Sequence, residues 1–150
     1  NADVEMIFKG SLEELAESPP HIRIFDIYSG GDEYEKLGSH LNDAILSVKS
    51  FIKENISSDI SRDDAAKQIH LNPAYFGRVF KKMTGMSFSE YILKQRMKNA
   101  ARLLRNGADT KTASYESGYN DDKYFRLVFK KYYGVSPAEY RKTSRNGGTE

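Results

Sequence analysis

Two lysine pairs, Lys81-Lys82 and Lys130-Lys131, end the same aromatic frame, YFGRVFKK at 75–82 and YFRLVFKK at 124–131, with Arg78 and Arg126 about one helical turn upstream. Cations three to four residues apart share one face of a helix. Ammonium and guanidinium groups held that way suit phosphate oxygens and base edges, not bond making. Catalytic alternatives find no support in the chain. With three histidines and no cysteine, it shows no phosphate-cradling glycine loop, no histidine pair at metal spacing, and no serine, histidine and carboxylate set in a supporting context. No enzymatic activity, metal or cofactor is expected.

The frame belongs to a longer duplication. Residues 75–91, YFGRVFKKMTGMSFSEY, return 49 positions later as YFRLVFKKYYGVSPAEY at 124–140, with ten of seventeen residues identical. Two copies are too few for a solenoid, so the repeat presents one surface twice, which suits a ligand that itself repeats. Duplex DNA does so, because its major groove returns to the same face every ~34 Å. Charge agrees with this. Residues 1–40 hold nine acids and three bases, a net −6, while residues 41–150 hold twenty bases and twelve acids, a net +8. A basic segment beside an acidic one is the footprint of a polyanion binder with a non-binding neighbour.

The elements that must position these cations read as helices. Leu41, Ile45, Val48 and Ile52 mark one apolar face, with Ser39 as its cap. Ser61 with Asp64 starts a short helix that buries Ala65, Ala66 and Ile69, followed by a turn at His70, which is read as packed or capping. Asn72-Pro73 starts the next helix, 72–84. Its inner stripe is Phe76, Val79, Phe80 and Met83; Ala74, Gly77, Arg78 and Lys81 point outward, and Gly85 stops it. Ser87 and Glu90 open a long helix to about 106, with Phe88, Tyr91, Ile92, Ala100, Leu103 and Leu104 as buried candidates. The pattern then recurs with one extra turn residue: a short helix at 111–116, a cap at Asp121, and a helix to about 133 stopped by Gly134. The inner stripe of that helix is Phe125, Val128, Phe129 and Tyr132, its outer stripe Lys123, Arg126, Leu127 and Lys130, and Ser136-Pro137 begins a last short helix.

A short helix, a turn and a capped second helix make a helix-turn-helix, whose second helix can lie in a major groove. A helix about 10 Å wide must fit a groove about 12 Å wide, so the small Ala74 and Gly77 are useful on the outer stripe. Arg78 can donate twice to a guanine edge. Lys81, Lys82, Lys130 and Lys131, with the capping residues Asn72 and Asp121, stand where phosphates would lie.

At these residues the chain resembles the AraC/XylS family of bacterial transcription regulators. The resemblance covers about 48–141. It rests chiefly on Gly118, Tyr119, Asn120, Asp121, Tyr124, Phe125, Val128 to Lys131, Gly134, Ser136-Pro137 and Tyr140-Arg141, with Tyr91, Arg96, Ala100, Leu103 and Leu104 on the long helix. It implies an all-α fold of about seven helices, two helix-turn-helix subdomains joined by a long linker helix, and two recognition helices in successive major grooves. Base-edge contacts in such proteins map here onto Ala74, Gly77, Arg78, Asp122, Lys123, Arg126 and Leu127. Leu127 departs from the arginine common there, the charge being displaced to Arg126, so the second unit is expected to meet a thymine methyl or to contribute less specificity. Ala113-Ser114 stand where the family usually has isoleucine-alanine, and Thr110 where an isoleucine is expected, which predicts looser packing. Arg96 is read as internal, binding a carboxylate while its stem covers apolar surface.

The expected division is an acidic linker or the end of an upstream signal-receiving domain at 1–40, the DNA-binding domain at 41–145, and a disordered tail at 146–150. Within the domain, the first unit lies at about 61–84, the linker helix at 87–106 and the second unit at 110–133. In the N-terminal part, which reads as irregular or mixed, Ile22 to Tyr28 alternates like a strand, Ser11 with Glu14 suits a short helix, and Pro19-Pro20 interrupts. Gly30 to Tyr34, GGDEY, is similar to the signature loop of diguanylate cyclases, but that enzyme needs far more chain, so it is read as a chance or remnant loop. No apolar run approaches the ~20 residues of a membrane span, and a cytoplasmic location is expected. The expected partners are double-stranded DNA, RNA polymerase and an upstream sensory or receiver domain of the same chain. The alternative is a helical module that grips another protein through the same basic faces.

Overall fold

The computed structural model describes residues 32–147, with side chains at 39–145. The strand at 22–28, the helix near Ser11 and most of the acidic segment lie outside the described residues. Among those described there are seven helices and no strand: α1 (Asp32–Glu54), α2 (Arg62–Gln68), α3 (Pro73–Thr84), α4 (Phe88–Arg105), α5 (Thr110–Glu116), α6 (Asp122–Tyr133) and α7 (Pro137–Gly147). The described residues fall into two compact units, one containing 32–54 and 60–90, the other 55–59 and 91–147.

Two boundaries differ from the sequence reading. α1 begins at Asp32 rather than 41, so Ser39 lies inside the helix, and Asp32, Glu33 and Tyr34 of the GGDEY segment are helical rather than loop. Among 32–54 there is no proline to stop the helix, and three of its five acids, Asp32, Glu33 and Glu35, fall near the N-terminal end, where the macrodipole favours them. At the other end α7 reaches Gly147, past the position where a disordered tail was expected.

In the first unit α1, α2 and α3 pack on one another. Leu41, Ile45, Val48 and Ile52 are buried as the spacing requires, and they share the unit's core residues with Ala65, Ala66, Ile69, Phe76, Val79 and Phe80. Phe76, Phe80 and Phe88 form a triangle with every centroid separation 5.6 Å. Such pairs add about 0.5–1.5 kcal/mol each beyond area burial. Tyr75, 1% exposed, joins this core although the outward-inward pattern did not mark it.

The second unit is built on Met97, Ala100, Ala101, Leu104, Ala113, Phe125 and Phe129. Met97 and Ala101 were missed because Arg96 and Lys98 interrupt the apolar pattern around them. One correction falls here: Tyr132 is 43% exposed, not inward. Tyr133 takes its place, its ring 4.7 Å from Phe129 and 5.5 Å from Tyr140, because α7 brings Tyr140 onto the side of α6 where 129 and 133 lie.

Arg96, 8% exposed, lies in this unit, but a carboxylate is not its partner. Its guanidinium donates to three carbonyls: Nη1 to Ile56 O (3.3 Å) and Ser117 O (3.0 Å), Nη2 to Ser58 O (3.0 Å). It also stands 5.7 Å from the Tyr119 ring centroid. The reason is local. The residues after α1 and the end of α5 leave carbonyls without helical partners, and a planar fork with five donors can serve several at once.

Candidate nucleic-acid interface

Each outer stripe is held by helix ends that the backbone makes twice in the same way. Asn72 Oδ1 accepts from the backbone N–H of Ala74 at 2.9 Å and of Tyr75 at 3.3 Å. Asp121 Oδ1 accepts from Lys123 and Tyr124 at the same two distances. Gly85 (φ 81°) and Gly134 (φ 85°) end α3 and α6 in the left-handed region, and their N–H groups donate to Lys81 O and Lys130 O. Both start and stop signals were legible in the sequence.

The short first helices differ more. α2 begins with the Ser61–Asp64 capping box, whereas α5 is capped by Asp109, whose carboxylate accepts from Thr112 N at 2.7 Å. That bond, then the Thr112 hydroxyl, with Arg141 and Lys111 nearby, hold the Asp109 carboxyl below the usual range. Each short helix closes with a left-handed residue, His70 (φ 57°) and Gly118 (φ 93°). His70 is exposed, so of its two expected roles it takes the capping position and is not packed. Gly118 has no such latitude, because a Cβ there would collide with Arg96 Nη1 and fall 2.7 Å from Ile56 O.

On α3, Ala74, Arg78, Lys81 and Lys82 are exposed and Gly77 is half-buried. On α6, Lys123, Arg126, Leu127, Lys130 and Lys131 are exposed, Leu127 to 66%. Asp122 is half-buried and pairs with Arg126 at 3.0 Å, both side chains about half exposed. An exposed i,i+4 pair of this kind contributes only ~0.3–0.5 kcal/mol, which leaves the guanidinium free to be recruited by a stronger acceptor. Each stripe is thus assembled within its own unit as the spacing requires. The cap geometry commits the Asp121 carboxylate to backbone N–H groups, and a carboxylate has no proton to offer a phosphate. Asn72 keeps an amide NH₂ that can.

Sequence reasoning missed a groove of about 770 Å³ in the second unit, where Lys111, Arg141, Lys142 and Arg145 face Asp109 and Asp122. Its cations come from α5 and α7 and share no period, so no pattern along the chain marks them. Arg141 is partly committed, with Nη2 donating to Gly107 O at 3.0 Å. Tyr124 was passed over too. It is 58% exposed at the first turn of α6, whereas its counterpart Tyr75 is sealed in the core. Among the described residues no helix is long and apolar enough to cross a membrane.

Comparison with known proteins agrees with this geometry. A family model described as a helix-turn-helix domain matches residues 65–143. The chain is 33% identical over 116 residues to the Msm operon regulatory protein of Streptococcus mutans, a match covering 72% of this chain and 42% of that protein. It is 34% identical over 123 residues to the uncharacterized transcriptional regulatory protein YesN of Bacillus subtilis, covering 78% of this chain and 33% of that protein. The matches therefore span well under half of either curated relative. Among solved structures, the C-terminal domain of AraT, a response regulator from Geobacillus stearothermophilus, is similar with a TM-score of 0.63 and 31% identity, over 67% of this chain and 84% of that one.

Proposed function

The chain belongs to the AraC-type helix-turn-helix family of DNA-binding transcription regulators, and we propose that it binds double-stranded DNA sequence-specifically, with α3 and α6 entering successive major grooves. Family membership makes it a DNA-binding regulator, not an enzyme. The observation that carries the finer reading is the duplicated helix, capped with the same geometry at both ends, with an exposed stripe of small and cationic residues in each copy.

In this reading Ala74, Gly77 and Arg78 meet bases from α3, and Asp122, Lys123, Arg126 and Leu127 do so from α6. Lys81, Lys82, Lys130, Lys131 and the Asn72 amide meet phosphates. Asp121 is assigned to helix capping alone. Leu127, apolar and exposed, suits a thymine methyl. The similarity to a response regulator supports a receiver or other sensory domain upstream in the same chain, with RNA polymerase contact as the route to a transcriptional output and the cytoplasm as its place.

Enrichment of duplexes from a random pool, followed by hydroxyl-radical footprinting, tests this. Two protected patches on one face, about one helical turn apart, are expected. Enrichment of no common sequence, or protection on opposite faces, would refute it.

A further inference from the structure

Gly77 sits in the middle of α3, on the outer stripe, with an ordinary helical backbone rather than a left-handed one. Glycine in a helix interior is less favourable than alanine because more backbone entropy is lost, so no turn or cap explains it. What occupies the space beside it is Arg62 of α2. A Cβ at Gly77 would meet Arg62 Nη1 at 3.4 Å and Cδ at 3.6 Å, so the arginine side chain runs past the position where a residue-77 side chain would begin.

The second copy has the reverse arrangement. Where the first has Arg62 on the short helix and Gly77 on the recognition helix, the second has Thr110 and Arg126. Each copy therefore brings one guanidinium to the same part of its outer stripe, by a different route. Arg62 is also poorly placed for its own helix. It occupies the first turn, where the macrodipole disfavours a cation. It is exposed, and among the described residues it has no ion pair or hydrogen bond.

We propose that Arg62 reads DNA in place of the side chain that Gly77 lacks, its guanidinium passing over the recognition helix to donate to a guanine edge. The missing Cβ lets the α3 backbone approach the groove floor, while Arg62 lies in ordinary contact range of that surface, where the two parallel donors of its planar fork can match guanine O6 and N7. The inference rests on the DNA-binding reading and adds a reading residue from outside either recognition helix.

The test uses the whole chain and the duplex that it enriches from a random pool, together with versions of that duplex changed at one base pair at a time. Arg62→Ala should weaken binding to the enriched duplex by about 5- to 150-fold and abolish discrimination at one G·C pair, leaving the other pairs discriminated as before. Arg62→Lys should keep much of the affinity without restoring that discrimination, because a point charge lacks the fork. Gly77→Leu, whose branched side chain would extend into the space that Arg62 occupies while improving the helix, should lose discrimination at the same pair.

Equal weakening on every duplex would make Arg62 a phosphate contact and overturn the proposal. So would unchanged binding, or a Gly77→Leu effect at a different pair. If the unaltered chain enriches no sequence, the DNA-reading function itself falls, before any variant is made.

Discussion

The two helix-turn-helix copies share their frame and differ in what hangs on it. Their recognition helices start on the same pair of side-chain-to-backbone hydrogen bonds, 2.9 and 3.3 Å, and stop on a left-handed glycine. Yet Tyr75 is sealed while Tyr124 is 58% exposed, Arg78 stands where the second copy has Leu127, and exposed His70 stands where the second copy has Gly118 packed against Arg96. The lesson is physical. Unpaired helix-end N–H and C=O groups must be satisfied in any copy, so the capping geometry persists even where the capping residue changes, whereas side chains beyond the frame answer only to their own surroundings.

The largest test of that contrast is at the two turns. Gly118→Ala displaces Arg96 from its carbonyl partners, one buried and two partly buried, and we expect a loss of ~3–5 kcal/mol in chemical denaturation. His70→Gly should change stability by no more than ~1 kcal/mol, since the side chain is exposed and glycine suits the left-handed backbone there. Similar effects at both turns would erase the difference.

Next comes the reading face. Arg78→Ala should cost ~1–3 kcal/mol of binding on an enriched duplex and relax one base pair. Leu127→Ala should cost less, since it removes only apolar contact, and Lys130→Gln should weaken all sequences alike. A Leu127 effect larger than that of Arg78 would move the main readout to the second copy.

A smaller effect separates the paired tyrosines. The Tyr75 hydroxyl is buried with no hydrogen-bond partner among the described residues, and burial pushes its pKa up. Tyr75→Phe should therefore stabilise the protein by ~1 kcal/mol at neutral pH, and Tyr124→Phe should be neutral. The sign of the pH dependence follows. A folded pKa above the ordinary value of ~10 leaves the stability contribution intact below that pH and removes it as pH rises through the raised value. Tyr75→Phe should make the alkaline fall in stability shallower, and Tyr91, Tyr119 and Tyr133, raised chiefly by burial as well, should keep part of it. Denaturation at neutral pH and at about pH 11 measures both. An unchanged alkaline fall would mean that Tyr75 does not titrate as a buried group.

The smallest concerns the short helices. Ala113-Ser114 and Thr110 suggested a looser second copy, but the pair equivalent to 113–114 in the first is Ala65-Ala66, just as small, and all four of these are fully or almost fully buried. Amide exchange in α5 should then match that in α2 within about tenfold. Much faster exchange in α5 would restore the looser reading.

Most of this architecture was legible because capping chemistry is local. Ser61 with Asp64, Asn72-Pro73, Ser87 with Glu90, Asp121, Gly85 and Gly134 each announce a helix end within a few residues. What was not legible depends on partners far along the chain. Arg96 was understood as internal, but its acceptors lie 40, 38 and 21 residues away, and no spacing rule identifies a bare carbonyl. The exchange of Tyr132 for Tyr133 depends on where α7 places Tyr140. Arg62 carried no signal until its side chain was seen beside Gly77, and the cations of α5 and α7 line one groove without sharing a period.

The central claim, that the twin cationic stripes grip duplex DNA through its phosphates and bases, is tested most directly by the salt dependence of affinity for an enriched duplex. With six or more phosphates neutralised, the account predicts a linear fall of log affinity with log salt, amounting to ~10³-fold or more between about 50 and 200 mM, and a slope reduced by about one in Lys130→Gln. Affinity that stays level across that range would contradict it and point to a protein partner for the same faces.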